Sequence, residues 1–178
     1  IRLHQIKYWQ KTGIPPVKKG VLMLYNTGKL EDWESENTIL EIAVAKKYLS
    51  QLTDYKLPLD VALPIFEWGV VYREHRLFKL LHALDAAALR DTSRFTAVGD
   101  QRFSVNKSTY LRGHYLYRGD QIRLESVSAE TLRESVQLVA PLIHHGDMQL
   151  LFYHLDTSTL RRHPATALQQ LIDSMHYQ

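Results

Sequence analysis

The spacing of apolar residues changes several times along the chain, and each change marks an element. Val61-Ala62-Leu63, inside Leu59 to Leu63, is nearly continuous in hydrophobicity, as in a strand buried on both faces. The same stretch runs on through Pro64-Ile65 and ends abruptly in Phe66, Glu67, Trp68 and Gly69. Val21 to Tyr25 and Met148 to Leu155 have the same buried character and end in Asn26 and Asp156. Ile1 to Ile6 alternates, with Ile1, Leu3 and Gln5 on one face and Arg2, His4 and Ile6 on the other, which predicts a first strand. Ile39, Ile42, Ala45, Leu49 and Leu52 recur at helical spacing behind Thr38-x-x-Glu41, a capping-box pattern. Ser128 to Ala140 and Ala165 to Met175 carry two further helical stripes, Leu132, Val136 and Val139 in one, Leu168, Leu171, Ile172 and Met175 in the other. Apolar strands joined through helices form right-handed parallel units, and such sheets bind ligands beyond the C-terminal ends of their strands.

Between Val70 and Val127 the pattern is antiparallel. Val70 to Arg73 and Arg76 to Leu80 flank Glu74-His75, and His114 to Arg118 and Gln121 to Glu125 flank Gly119-Asp120, a two-residue hairpin signal. Asp85 to Arg90 reads as a short Ala-rich helical turn, and Gly13 with Pro15-Pro16 argues against a long helix before Gly20. The expected organisation is α/β: barrel-type strands over 1–69, an antiparallel α+β insertion over 70–127, and a return to the first architecture over 128–178.

Composition narrows the function. At 178 residues, with 45% hydrophobic and 23% charged residues, the chain has the balance of a globular domain with a real core. The net charge of +3 is mild, and Lys18-Lys19 and Arg161-Arg162 are the longest basic runs, so no nucleic-acid or membrane-surface patch is expected. No apolar run approaches the roughly 18 residues of a membrane span. There is no cysteine, which excludes disulfides and thiolate metal sites. Because the chain opens directly on a strand pattern, it reads as the C-terminal part of a longer protein.

The order of these elements resembles the second half of a (β/α)8 barrel. Met23-Leu24-Tyr25-Asn26 resembles the Met-x-Tyr-Asp/Asn signature ending the sixth strand of chitinase-like family-18 glycoside hydrolases. Ala62-Leu63-Pro64-Ile65-Phe66 resembles their seventh strand, after which their antiparallel insertion falls, and Leu151 to Asp156 stands where the eighth would. IRLHQIKY, VLMLYN and ALPIFEWG are also similar to a bacterial family of glycoside-hydrolase-like TIM barrels. The resemblance implies a partial TIM barrel with its insertion after the third visible strand, a glycan or oligosaccharide substrate, and secretion or a periplasmic location. It implies no cofactor. The acidic Asp-x-x-Asp-x-Asp-x-Glu motif of the chitinase fourth strand has no counterpart in this sequence. The resemblance therefore assigns this chain the substrate side of the site and places the main acid in a missing N-terminal half.

Each candidate residue has a functional and a structural reading. The resemblance gives Tyr25 and Asn26 the role of holding a substrate acetamido group, whereas the plain reading is a strand end followed by a turn. Glu67 is the carboxylate at the mouth of its strand and could serve as a nucleophile if a partner carboxylate stood about 5 Å away; a rim carboxylate is the simpler reading. Phe66 and Trp68 could stack on a sugar ring or pack internally. Asp156 could bind sugar hydroxyls or cap the helix that begins at Thr157. Arg2 and His4 could point into the barrel or form a buried pair. The acidic loop Glu31 to Glu36, with Trp33, could wall a subsite or lie in solvent. His144, His145 and Asp147, with His154 and His163, are metal-ligand types, but they fall at opposite strand ends, so no metal is expected. A glycan binder without catalysis and a protein-interaction scaffold remain the alternatives to an enzyme.

Overall fold

The computed structural model describes residues 1–143 and 148–174. The helices are α1 (Leu3–Lys7), α2 (Trp9–Thr12), α3 (Ile42–Leu49), α4 (Ala129–Val139), α5 (Thr157–Arg162) and α6 (Ala165–Asp173). The strands are β1 (Gly20–Met23), β2 (Leu59–Pro64), β3 (Glu67–Arg73), β4 (Arg76–His82), β5 (Phe95–Gly99), β6 (Arg102–Val105), β7 (Thr109–Leu111), β8 (His114–Leu116), β9 (Gln121–Ser126) and β10 (Leu150–Tyr153). The fold is mixed α/β and divides into two compact units. One comprises residues 1–28, 39–65 and 127–178; the other comprises 29–38 and 66–126.

The first unit contains a three-stranded parallel sheet in the order β1-β2-β10. Every residue of the central strand β2 is buried, which the near-continuous apolar run anticipates. Its one acid, Asp60, forms an ion pair with Lys19 at 2.6 Å and accepts a hydrogen bond from the Gln149 amide at 2.8 Å. Burial of a carboxylate in a sheet is tolerable only with such partners. The first expected strand does not form. Arg2 makes a single parallel bridge to Met23, and the chain then turns into α1. Leu3 and Ile6, both buried, are three apart and so fit one helical face as well as an alternating pattern is able to fit a strand. The antiparallel region consequently follows the second parallel strand rather than a third. Thr38 does not cap α3 either; the helix begins at Ile42 with Glu41 as its N-cap residue. Farther on, Ser128 caps α4 by accepting from the Thr131 amide, and Leu132, Val136 and Val139 are buried as their spacing predicts. Met175, read as part of the last apolar stripe, lies outside the described residues.

The second unit is a five-stranded antiparallel sheet, β4-β3-β9-β6-β5, with the β7–β8 hairpin. Val71, Leu81, Leu84, Phe95, Leu116 and Ile122 are among the residues of its core. Glu74 and His75, with φ of 50° and 61°, make the tight β3–β4 turn, the two positive φ values suiting the twist of the strands. Gly119-Asp120 is not the corner of a hairpin. β8 pairs back onto β7, and β9 pairs with β3 and β6. The Asp120 carboxylate is instead taken by Arg73, which donates to it at 2.9 and 2.8 Å, and by the Tyr117 amide. The LDVALPIFEWG stretch is thus divided between the units, Leu59–Pro64 in the parallel sheet and Glu67–Gly69 in the antiparallel one.

Candidate functional site

In the first unit a cleft of about 280 Å³ opens beside the C-terminal end of β1 and is lined by Arg2, Leu3, His4, Met23, Tyr25, Asn26 and Tyr48. Strand alternation builds it. Leu22 and Leu24 are fully buried, which leaves Met23 and Tyr25 on the other side of the strand. The bridge from Arg2 to Met23 brings the start of α1 alongside, and Tyr48 comes from α3. Asn26 adopts a left-handed backbone, φ 57°, with its amide donating to the Ile39 carbonyl at 2.6 Å. Asn tolerates that conformation better than most residues, so the turn reading of this position holds alongside its place in the cleft.

Tyr25 is 9% exposed, and its ring stacks on Tyr153 from β10, with centroids 5.4 Å apart and planes within 5°. Burial, and secondarily Tyr153, raises the Tyr25 phenol above its ordinary pKa, so it stays a neutral hydroxyl able to donate a hydrogen bond. Tyr153 in turn meets the His154 ring edge-on at 5.5 Å, and His154 Nε2 lies 3.0 Å from Asp156 Oδ2. Tyr25, Tyr153, His154 and Asp156 form a continuous row. Asp156 is at the same time the N-cap of α5. Its carboxylate accepts from the Thr159 amide at 2.7 Å and the Ser158 hydroxyl at 2.8 Å, and these bonds, the Thr159 amide foremost, pull its pKa down to about 2. It is an ionised acceptor and no proton donor at neutral pH.

Phe66, Glu67 and Trp68 lie in the second unit. Glu67 opens β3 opposite Ser126, is half-buried, and its carbonyl accepts from the Ala83 amide at 3.1 Å. Phe66 and Trp68 are 5% and 7% exposed, with ring centroids 5.1 Å apart. The Trp68 indole N–H donates to Glu125 Oε2 at 2.8 Å. These two aromatics are packed residues, with little ring face left for a sugar.

The acidic loop is held down as a strap across its own unit. The Arg123 guanidinium donates to the carbonyls of Asp32 (2.6 Å) and Trp33 (2.9 Å), and Arg102 donates to those of Trp33 and Ser35. Trp33 packs edge-on against Tyr72 at 4.9 Å with the Arg102 guanidinium over its ring at 4.4 Å. The Tyr72 hydroxyl donates to the Leu30 carbonyl, and burial pushes that phenol up to about 12. Beneath the strap, Glu125 accepts four hydrogen bonds: Arg123 Nε at 2.7 Å, Trp68 Nε1 at 2.8 Å, and the Thr38 amide and hydroxyl at 2.9 and 2.6 Å. Sequence reading missed this network. Its signal was the pair Arg123 and Glu125 on one face of a strand whose other face carries Ile122 and Leu124. Tyr48 was missed as well, being a lone half-buried position between Ala45 and Leu49.

Among the described residues no three His, Asp or Glu side chains converge on a metal-sized point, and no helix is long and apolar enough to cross a membrane. His144, His145 and Asp147 lie outside the described residues. His163 is 3% exposed in the first unit, burial lowers its pKa, and its Nε2 has no partner.

No protein-family model and no curated protein matches the chain. Among solved structures it is similar to a chitinase from Chromobacterium violaceum, at 12% identity and a TM-score of 0.47, over 85% of this chain and 44% of that one. It is also similar to the spore cortex-lytic enzyme SleL of Bacillus cereus, at 13% identity and a TM-score of 0.48, over 88% of this chain and 35% of that one. Both are distant likenesses of fold, and the chain spans less than half the length of either protein.

Proposed function

We propose that this chain supplies glycan recognition in a carbohydrate-active protein, its parallel strands being consecutive strands of a (β/α)8 barrel and residues 66–126 an insertion. The observation that carries the reading is the cleft at the end of β1, where Tyr25 and Asn26 stand together among polar neighbours. Parallel α/β sheets present ligand sites at that end of their strands. In this reading the neutral Tyr25 hydroxyl donates to the acetamido carbonyl of an N-acetylated sugar, Asn26 supplies an amide for a neighbouring hydroxyl, and Asp156 keeps His154 beside the Tyr153 ring. Hydrolysis needs a protonated carboxyl at the glycosidic oxygen. No carboxyl lines the cleft, and the ionised Asp156 cannot serve, so the acid comes from outside these residues. Glu67 has no catalytic role in this reading.

Glycan-array binding by the full-length protein tests the proposal. Tyr25→Phe is expected to weaken binding of N-acetylated oligosaccharides about five-fold, the worth of one hydrogen bond of roughly 1 kcal/mol. Glu67→Gln is expected to leave binding and any turnover nearly intact. Absence of binding to every glycan would remove the reading, and loss of turnover in Glu67→Gln with binding unchanged would assign the carboxylate a catalytic role. Glycan binding with no turnover by the full-length protein would identify a binding barrel instead of a hydrolase.

A further inference from the structure

Charge is unevenly distributed around the cleft. Of its polar lining, Arg2 and His4 are basic types, Tyr25, Asn26 and Tyr48 are neutral, and none is acidic. A second full cation stands alongside, with Lys7 Nζ 5.4 Å from the centre of the Tyr48 ring. Elsewhere Lys19, Arg73, Arg94 and Arg123 are each paired with a carboxylate. Among the described residues no carboxylate pairs with Arg2, although its backbone is fixed on both sides. The bridge to Met23 ties it to the parallel sheet, and its amide donates to Gln5 Oε1 at 2.9 Å at the start of α1. A guanidinium anchored at its base, with no counter-charge, in the wall of a concave polar site is suited to an anion. Its planar fork matches a carboxylate through two parallel hydrogen bonds, a match no neutral hydroxyl reproduces.

We propose that the cleft selects a sugar unit bearing a carboxylate, with Arg2 as the specificity-determining residue. This rests on the glycan reading above and adds the class of sugar. Tyr25 and Asn26 then hold the neutral part of the ligand, and the acidic substituent lies toward Arg2, with Lys7 adding to the positive field.

The test uses the full-length protein and three probes in isothermal titration: a hyaluronan tetrasaccharide, which alternates a uronate with an N-acetylated sugar, its methyl ester, and the neutral chitin tetrasaccharide. The acid is expected to bind roughly ten-fold more tightly than the ester, the scale of one charge-assisted contact. The advantage should shrink as salt is raised to physiological strength, since the site is open to water. Arg2→Gln should abolish the advantage without changing the affinity of the ester, and Arg2→Lys should restore part of it. Arg2 is exposed, so both variants are expected to melt with the parent protein. Equal binding of acid and ester, binding of the chitin tetrasaccharide alone, or an acid preference that survives Arg2→Gln would overturn the proposal and leave the glycan reading standing. Failure of all three probes to bind, with a blank glycan array, would overturn both.

Discussion

The two units treat polar side chains in opposite ways. In the antiparallel unit they are spent internally: Arg123, Glu125, Thr38, Trp68 and Asn37 bond to one another or to backbone carbonyls of the strap and the sheet. In the parallel unit the sheet interior holds Asp60, tied to Lys19 and Gln149, while Arg2, His4, Tyr25, Asn26 and Tyr48 gather around an open cleft. A polar group that satisfies its neighbours is structural, and one that faces a concavity is available to a ligand. The contrast explains why the aromatic and acidic residues nearest the centre of the sequence's most conspicuous stretch, Phe66 to Trp68, are less suited to recognition than the less conspicuous end of β1.

The contrast is broken most severely at Glu125. Its side chain and that of Arg123 are 0% and 1% exposed, so removing one partner leaves a buried charge uncompensated. Glu125→Ala is expected to destabilise the fold by about 3–5 kcal/mol, read as a lowered urea midpoint. A loss below about 1 kcal/mol would mean that water reaches the pair. Asn26 offers a finer separation of backbone and side-chain roles. Asn26→Gly keeps the left-handed turn and should leave stability nearly unchanged while weakening glycan binding. Asn26→Ala should cost about 1 kcal/mol in addition. Equal binding by both variants and the parent would reduce Asn26 to a turn residue.

Acid pH produces the mildest effect, and it falls on the parallel unit. Burial, with Arg162 adding to it, depresses the His163 imidazole below 6.5, so the unfolded chain takes up a proton that the folded one resists. Stability contributed by this group is complete above about pH 6.5 and declines as pH falls below it. The Asp156 carboxylate, at about 2 in the fold, adds a second decline as pH drops from its ordinary 3.8 through about 2. Urea midpoints measured between pH 7 and 5 should fall for the parent protein and stay flatter for His163→Leu. An unchanged slope in that variant would place the acid sensitivity elsewhere.

Much of the fold was legible where one residue pattern admits one structure. Val61-Ala62-Leu63 reads as a doubly buried strand because both of its faces are apolar, and Ser128 followed by Leu132, Val136 and Val139 gives a helix its start and its buried side. Ile1 to Ile6 was misread because six residues satisfy both an alternating and a three-apart pattern, and the choice was made by tertiary packing of Leu3 and Ile6. Thr38 was misread for a different reason. Its hydroxyl was free to cap α3 until a carboxylate 87 residues later, Glu125, claimed it. Gly119-Asp120 carries a hairpin signal, yet Arg73 and the Tyr117 amide take the Asp120 carboxylate and the chain pairs elsewhere. At the site, Tyr25, Asn26 and the N-cap of Asp156 were visible as strand-end chemistry. Tyr48 and the Glu125 network were invisible because their meaning comes entirely from residues distant in sequence.

The strap of residues 29–38 also governs the order in which the molecule can be assembled. Its partners are remote: Trp33 meets Arg102 across 69 positions, and Thr38 meets Glu125 across 87. During synthesis the strap leaves the ribosome long before those partners exist, and no local contact substitutes for them. Closing so large a loop costs entropy before it is rewarded, and topologies dominated by distant pairings fold slowly. The antiparallel sheet is therefore expected to acquire its strap late. A piece of the protein cut to residues 66–126 would lack it altogether, leaving the Arg123 guanidinium without the carbonyls of Asp32 and Trp33, and Glu125 without Thr38. A chain cut at the obvious sheet boundary is thus not a foldable module; the ten residues between β1 and α3 have to travel with it.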